Sequence, residues 1–235
     1  FAASVLTAQD LDARLRELVR HAYGRVRYYR RLFDAAGVSP DDIRTVADLA
    51  RLPVTTRRDL KRAGAEALAD DAPTGGDRVI VRTSGTSGEP IEIVATRREI
   101  ARRRTTDFRA LLAAGVGARD VIAIVGPEHE RAPSLHDRLG AFRTGIVPGA
   151  LPATEQIRRL ARLRPTVLWI YPTVLCAILH EVGDRFAAVC RPRMMITSSE
   201  VFDPVLRGRV EALVAAPAFN FYGSNEVGRI AQECP

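Results

Sequence analysis

Two short segments of the chain carry residue types that could bind a polyphosphate. The first runs from Thr83 to Pro90, and its hydroxyls and glycines are Ser84, Gly85, Thr86, Ser87 and Gly88. The second runs from Tyr222 to Glu226 and ends in a carboxylate. Hydroxyl and backbone N–H groups donate to phosphate oxygens, glycines allow a close backbone approach, and a carboxylate is a preferred ligand of Mg²⁺. These residues predict a site for a nucleotide with its magnesium ion.

The neighbours of the first segment exclude two familiar nucleotide-binding motifs. Short β-branched runs at residues 78–82 and 91–94 flank it, so it joins a strand to a strand. A P-loop or a dinucleotide-binding fingerprint must open a helix, and a P-loop also needs a lysine where this chain has Glu89. What remains is a hairpin loop that could close over the β- and γ-phosphates of ATP, with a plain connecting loop as the alternative.

Beyond residue 77, short apolar runs alternate with helical patterns. This alternation predicts an α/β fold with a mostly parallel sheet flanked by helices on both faces. Residues 197–200 and 222–226 each follow a strand directly, so we expect them at the carboxyl edge of the sheet, where such folds bind ligands. The expected strands lie near residues 78–82, 91–95, 121–125, 144–147, 167–170, 194–197 and 219–222. The expected helices lie near residues 7–23, with Thr7 as the N-cap, 97–114, 154–163, 173–183 and 204–215. A second short helix is expected after the loop at 37–42, and another from a cap at Thr55 or Thr56 through Leu60 to Leu68.

The two segments resemble motifs of the adenylate-forming enzymes. TSGTSGEP looks like their phosphate-binding loop, and FYGSNEVG looks like their YGxTE motif. The N-terminal part, with Tyr28 to Phe33 and Leu52 to Leu60, is similar to the phenylacetate-CoA ligase branch. The resemblance implies ATP-dependent activation of a carboxylic acid, aryl or arylacetic, as an acyl-adenylate and transfer to the CoA thiol. Transfer to a carrier protein or an amine, and a truncated nucleotide-binding module without catalysis, stay open as alternatives.

The resemblance and the residue chemistry together assign roles. Glu226 is the expected Mg²⁺ ligand and, with Thr86, a catalytic residue; its alternative is a solvated loop glutamate. The other expected nucleotide contacts are Ser84, Gly85, Thr86, Ser87, Gly88, Ser199, Glu200, Tyr222, Gly223 and Asn225. Tyr222 would pack on the adenine or ribose, or else be a buried residue at a strand end. Asn225 departs from the Thr or Ser of the motif, and its amide can still donate to phosphate.

Further side chains are candidates for the wall of an acyl pocket or for purely structural roles. The resemblance places that pocket between the strands at 121–125 and 167–170. Its candidate walls are Trp169, Tyr171, Pro172, His129, His136 and Phe142. Asp203 precedes Pro204, and a helix N-cap is the expected role. Glu200 is either a structural residue or a neighbour of the adenine.

Composition favours a cytoplasmic protein and argues against nucleic acid and membranes as partners. The net charge is +7, but only Lys61 among 35 basic residues is a lysine. The arginine-rich run at 97–104 lacks the interleaved aromatics of a single-strand binder, so we interpret it as a helix face that is mostly solvated. No secretory signal is evident, and no apolar stretch reaches the roughly 20 residues needed to cross a bilayer. Three widely spaced cysteines do not form a disulfide framework. A homodimer is left open, as is zinc binding by Cys234.

The resemblance implies an incomplete large domain of an adenylate-forming enzyme. We expect an N-terminal helical region at residues 1–77 and an α/β nucleotide- and acyl-binding part at residues 78–235. The C-terminal small domain with its adenylation lysine is expected to be absent, because the sequence ends shortly after Glu226. Lys61, in an N-terminal helix, is not a substitute. A fragment or a truncated relative of this kind should bind nucleotide weakly and catalyse poorly.

Overall fold

A computed structural model describes residues 7–82, 91–126 and 139–234 of the chain. The chain divides into two compact units, Phe1–Ile100 and Ala101–Pro235. In the described parts of these units, no helix is long and apolar enough to cross a membrane.

Capping boxes fix the first turns of two helices in the first unit, α1 (Ala8–Arg25) and α3 (Arg57–Ala63). Thr7 caps α1 and exchanges hydrogen bonds with Asp10, and Thr56 does the same with Asp59 at the start of α3. Phe33 and Ile43 are buried in a small core between the first helices. The elements are α1 (Ala8–Arg25), α2 (Arg27–Ala35), α3 (Arg57–Ala63) and 3₁₀ turns at Pro40–Asp42, Val46–Arg51, Gly64–Ala67 and Gly75–Asp77.

A two-stranded antiparallel hairpin follows, formed by β1 (Arg78–Arg82) and β2 (Glu92–Thr96). Arg82 lies opposite Glu92, so the segment between them connects two paired strands, as predicted. β2 leads directly into α4 (Arg97–Ala113), the helix in which the first unit ends.

The second unit is built on a six-stranded sheet. Its strands are β3 (Val121–Gly126), β4 (Arg143–Pro148), β5 (Val167–Ile170), β6 (Met194–Ser198), β7 (Ala218–Ser224) and β8 (Gly228–Gln232). They lie in the order β4-β3-β5-β6-β7-β8, and neighbouring strands are parallel except for β8, which pairs antiparallel with β7. The mostly parallel α/β fold is therefore confirmed. The remaining helices are α5 (Ala153–Leu163), α6 (Pro172–Val182), α7 (Arg185–Val189) and α8 (Pro204–Val214).

Side chains of the central strands alternate between two apolar layers. On β5, Leu168 and Ile170 pack in the layer that contains α5 to α8, whereas Val167 and Trp169 pack in the layer that contains the end of α4. This alternation is the period-two pattern of a strand that is covered on both faces. The predicted elements agree with the structure to within a few residues, with three kinds of exception. The helix predicted through Leu68 ends at Ala63, the short helix predicted after residue 42 is the 3₁₀ turn at Val46–Arg51, and α2, α7 and β8 are additional.

Candidate functional site

The strands β5, β6 and β7 end at one edge of the sheet. Because they are parallel, with Ile170 opposite Thr197 and Ser198 opposite Phe221, the residues that follow them share that edge. We call this edge the carboxyl rim and define it as residues 171–173, 198–200 and 222–227. Two sequence-predicted groups, Ser199–Glu200 and Tyr222–Glu226, are thus brought together.

The motif at 222–226 is the end of a strand followed by a hairpin turn, and this corrects the predicted end of the strand at residue 222. β7 continues to Ser224 and returns through residues 225–227 into β8. Gly223 is required by this geometry, because a Cβ at that position would lie 2.7 Å from the carbonyl oxygen of Gly228. Gly228 has a φ of +78°, which also favours glycine.

The side chains of the hairpin turn are available to a ligand. Asn225 and Glu226 are exposed, and the Glu226 carboxylate makes no hydrogen bond or ion pair within the described part of the chain. Arg103 of α4 instead binds the backbone, donating to the carbonyl oxygens of Asn225 at 2.7 Å and Glu226 at 2.8 Å. Arg103 therefore fixes the backbone of the turn, whereas the side chains of Asn225 and Glu226 point to no partner that the described structure shows.

Two further residues of the carboxyl rim have features that the fold does not explain. Tyr222 is 64% exposed, so the alternative of a buried tyrosine at the strand end is wrong. Ser199 is exposed and has a φ of +71°, in the left-handed region that costs a non-glycine residue free energy. Strained, exposed positions of this kind cluster at functional sites.

Glu200 and Asp203 act as helix caps. The Glu200 carboxylate accepts from the backbone N–H of Thr173 at 2.8 Å and from its hydroxyl at 2.7 Å, at the first turn of α6. Asp203 accepts from the N–H groups of Val205 and Leu206 at the start of α8, as predicted. Both oxygens of Glu200 are engaged in capping, so its structural role is observed and its contact with a nucleotide stays a prediction.

A layer of aromatic rings and one arginine lies beneath the rim. Trp169 donates from Nε1 to the Ser198 hydroxyl at 2.8 Å and packs edge-on against Phe221. The guanidinium of Arg229 lies 4.0 Å from the Phe221 ring centre and forms an ion pair with Asp107 at 3.0 Å. Burial lowers the pKa of Arg229, and Asp107 acts in the opposite direction. This packing fixes β8 against β7 and α4.

The structure describes some of the other candidate residues for the wall of an acyl pocket. The ring of Tyr171 covers Gly126, where a Cβ would lie 2.8 Å from a ring carbon. Pro172 is buried as the first residue of α6, and Phe142 packs edge-on against Phe108 at 4.9 Å. His129 and His136 lie outside the described residues, so the pocket stays a prediction.

The opposite edge of the sheet carries a closed polar cluster that the sequence analysis missed. We call it the amino rim and define it as Asp120, Thr166 and Arg193. The Asp120 carboxylate accepts from the Thr166 hydroxyl at 2.7 Å, from Nε of Arg193 at 2.9 Å and from the backbone N–H of Gly117 at 2.7 Å. Hydrogen bonding to Arg193 is the largest of the causes that lower the pKa of Asp120 to about 2.

Comparisons with known proteins find similar sequences and a similar fold. No protein-family model matches the chain. The phenylacetate-coenzyme A ligase of Escherichia coli (strain K12) is 32% identical over 248 residues, which cover 99% of this chain and 55% of that protein. The enzyme of the same name from Aromatoleum evansii is 31% identical, covering 97% of this chain and 53% of its own length.

The chain is a homologue of phenylacetate-coenzyme A ligases. The predicted resemblance is thereby confirmed, and the chain spans about half the length of these curated relatives.

A solved structure supports the same fold for this homologue of the ligases. A crystal structure of 2-hydroxyisobutyryl-CoA ligase in complex with 2-HIB-AMP and CoA matches with a TM-score of 0.75 at 17% identity. The match covers 97% of this chain and 56% of that protein. At this identity the likeness shows the fold alone.

The predicted phosphate-binding loop of this ligase homologue lies outside the described residues. Ser84, Gly85, Thr86, Ser87 and Gly88 all belong to it, so their roles stay predictions. In the three described ranges, no group of three or more His, Cys, Asp or Glu side chains could hold a metal ion. Arg103 is the rim contact that sequence reasoning missed, since the run at 97–104 was interpreted as a mostly solvated helix face.

Proposed function

We propose that the chain supplies the nucleotide-binding part of an acyl-CoA ligase that activates a carboxylic acid with ATP. The observation that carries the proposal is the parallel pairing of β6 with β7, because it brings Ser199, Tyr222, Asn225 and Glu226 to one rim. Homology to proteins named phenylacetate-coenzyme A ligase supports the assignment of the reaction.

The proposed reaction has two balanced steps. A carboxylate oxygen attacks the α-phosphorus of ATP, and the bond to pyrophosphate breaks, which gives an acyl-adenylate. The CoA thiol then loses its proton and attacks the acyl carbon, and AMP leaves with the bonding electrons. Positioning and charge neutralisation supply most of the catalysis in such transfers, so the protein needs oriented polar groups more than a nucleophile of its own.

The carboxyl rim offers suitable groups for these tasks. Glu226 presents an exposed carboxylate of the type that holds Mg²⁺ together with phosphate oxygens. Bound Mg²⁺ offsets the negative charge of the phosphates. Asn225 offers an amide donor for the α-phosphate, Tyr222 an exposed ring face for the base or ribose, and Ser199 a hydroxyl. The hydroxyls of the loop at 83–90 are proposed to contact the pyrophosphate, as predicted from the sequence.

The acid is proposed to be aryl or arylacetic. The name phenylacetate in the curated relatives supports this choice, whereas the fold neighbour is named for 2-hydroxyisobutyryl-CoA. Phenylacetate, benzoate and 2-hydroxyisobutyrate therefore form a discriminating panel of substrates. The carrier-protein acceptor, the homodimer and the cytoplasmic location stay predictions.

The experiment is equilibrium titration of the chain with ATP and Mg²⁺, followed by pyrophosphate–ATP exchange with each acid. We expect weak nucleotide binding that Glu226→Gln reduces by about tenfold, the size expected for losing one charged contact. Glu181→Gln is the matched control, because Glu181 is an exposed glutamate on α6. Absence of binding by the unaltered chain would refute the proposal.

The exchange assay separates the alternatives. Exchange that depends on phenylacetate and yields an acyl-CoA supports the acid–thiol ligase. Exchange without an acyl-CoA product points to a carrier-protein or amine acceptor. Nucleotide binding without exchange for any acid supports the non-catalytic module and contradicts the proposed activity of this chain.

A further inference from the structure

We propose that Arg103 is a positioning residue that holds the hairpin turn in the geometry in which Glu226 meets the nucleotide's metal ion. The proposal rests on the function proposed above and extends it to a residue on a different element. Arg103 lies on α4, more than 120 residues before the turn in the sequence. It contacts only the backbone of the turn in the described structure, so its role is to orient and not to bind.

The contact is suited to fixing a backbone. Nη1 of Arg103 donates to the Asn225 carbonyl at 2.7 Å and Nη2 donates to the Glu226 carbonyl at 2.8 Å. Two donors of one planar guanidinium thus bind the two peptide groups on either side of Cα of Glu226, which restricts rotation about φ and ψ of Glu226. The direction of the Glu226 side chain is therefore restricted as well.

The turn has few other restraints. The N–H of Val227 is 3.4 Å from the Ser224 hydroxyl, a long and weak contact. The strand pair closes at Ser224 and Gly228, so residues 225–227 lie beyond the ladder. A Cβ on Gly228 would lie 3.6 Å from Cγ of Arg103, so the arginine stem also runs beside the end of the turn. Loss of Arg103 should therefore loosen the turn specifically.

The rest of the hairpin has separate attachments to the same helix face. Asp107 binds Arg229 at 3.0 Å, and the Ala110 carbonyl accepts from Gln232 at 3.2 Å. Positions 103, 107 and 110 follow the spacing of one helix face, so α4 supports the hairpin at three points along its length. Removal of the first point leaves the other two, and β8 should stay paired.

The neighbouring arginines supply a matched control. Arg104 is exposed, and within the described parts of the chain its side chain makes no hydrogen bond or ion pair. Arg104→Met removes the same charge from the same helix as Arg103→Met, without touching the turn. Arg103→Lys keeps the charge but offers one ammonium group in place of the planar fork.

The test measures hydrogen exchange at residues 223–229 and ATP–Mg²⁺ binding for these variants of the chain. For Arg103→Met we expect faster exchange at the turn and nucleotide binding about tenfold weaker, the scale of a lost charge-assisted contact. Arg103→Lys should fall between, and Arg104→Met should match the unaltered chain in both readouts. Glu226→Gln combined with Arg103→Met should be no weaker than Glu226→Gln alone, because both act on one contact.

Two outcomes would overturn the proposal. Unchanged exchange at the turn in Arg103→Met would show that the arginine does not hold it, and additive losses in the double variant would show that it does not act through Glu226. If the unaltered chain binds no nucleotide, the proposed function fails, and exchange at the turn still decides whether Arg103 fixes it.

Discussion

The amino rim and the carboxyl rim of the same sheet use their polar groups in opposite ways. At the amino rim, Asp120 is 7% exposed, and its carboxylate accepts hydrogen bonds from a hydroxyl, a guanidinium and a backbone amide. At the carboxyl rim, Glu226 and Tyr222 are exposed, and Ser199 has a left-handed backbone. The polar groups of the amino rim bind one another. At the carboxyl rim Glu200 caps a helix, but the side chains of Glu226 and Tyr222 are exposed, and the left-handed backbone of Ser199 costs free energy.

The difference separates the residues that stabilise the fold from those available for chemistry. The Asp120 cluster joins the loops that precede β3, β5 and β6, so it stabilises the start of three parallel strands. The free groups of the carboxyl rim do nothing comparable for the sheet. Substitutions at the amino rim should therefore change stability and not ligand binding, and most of those at the carboxyl rim should do the reverse.

The largest effect is expected for Asp120→Asn. The pKa of Asp120 is lowered from 3.8 to about 2, so its interactions contribute about 2 kcal/mol to the free energy of unfolding at neutral pH. Denaturation in urea should show that loss. Asp184→Asn serves as the control, since Asp184 is exposed. A change below about 0.5 kcal/mol, the usual scale of surface substitutions, would contradict the role given to the amino rim.

The same carboxylate gives the effect a defined pH dependence. Its folded-state pKa lies below the unfolded value, so its contribution is complete above the unfolded pKa and is lost as the pH falls through the folded pKa. The difference between the unaltered chain and Asp120→Asn should be constant down to about pH 5 and should shrink between about pH 4 and pH 2. A difference that grows on acidification would contradict the assignment.

The next largest effect is expected for Glu226→Gln, on binding and not on stability. Removal of one charged ligand should weaken ATP–Mg²⁺ binding by about tenfold, which is about 1.4 kcal/mol. The free energy of unfolding should change by less than about 0.5 kcal/mol, because the carboxylate is exposed. Calorimetric titration and urea denaturation measure the two quantities. A large loss of stability with unchanged binding would remove the distinction between the rims.

A smaller effect is expected at Ser199, where replacement by glycine should raise stability but weaken nucleotide binding. Ser199→Gly relieves the left-handed backbone and should raise the free energy of unfolding by about 0.5 kcal/mol, after the greater unfolded-state entropy of glycine is subtracted. Ser199→Ala keeps the backbone cost. If the hydroxyl contacts the nucleotide, both variants should weaken binding to the same extent, and only glycine should stabilise. If nucleotide binding is unchanged in both variants, the strained backbone of Ser199 has no role in binding.

The smallest effect on stability is expected for Tyr222→Leu. Because the side chain is 64% exposed, its loss should leave stability nearly unchanged, and a leucine retains part of the apolar contact with a base. Nucleotide binding should weaken about threefold, less than the loss of about 1 kcal/mol or more that removal of a whole aromatic stack causes, because the leucine keeps part of the contact. Tyr222→Phe keeps the ring and should bind as the unaltered chain does. Equal binding by Tyr222→Leu and Tyr222→Phe would exclude stacking on this ring.

The sequence predicts the parallel part of the fold well because the signal there is local. The runs at 121–125, 167–170 and 194–197 are short, apolar and rich in branched residues, and each is a central strand of the sheet. The shared rim of β6 and β7 follows from their parallel direction alone. Thr7 and Asp203 were recognised as caps because an N-cap depends on the next few residues.

The missed elements depend on contacts between distant residues. β8 contains Arg229, whose side chain is stabilised by Asp107 and the rings of Phe221 and Trp169, and no local pattern indicates that environment. Asp120 meets Arg193 across 73 residues, and Arg103 meets the turn across 122. In sequence, Arg103 is one arginine in a basic run. Only the packing of α4 against the hairpin distinguishes it from Arg104.

The most direct test of the account is to map ATP–Mg²⁺ onto the chain by NMR chemical-shift changes. We predict the largest changes at the loop residues 83–90 and at residues 198–200 and 222–227 of the carboxyl rim, and none beyond noise at Asp120, Thr166 and Arg193. Changes centred on the amino rim, or saturating ATP–Mg²⁺ without any change at residues 222–227, would contradict the account.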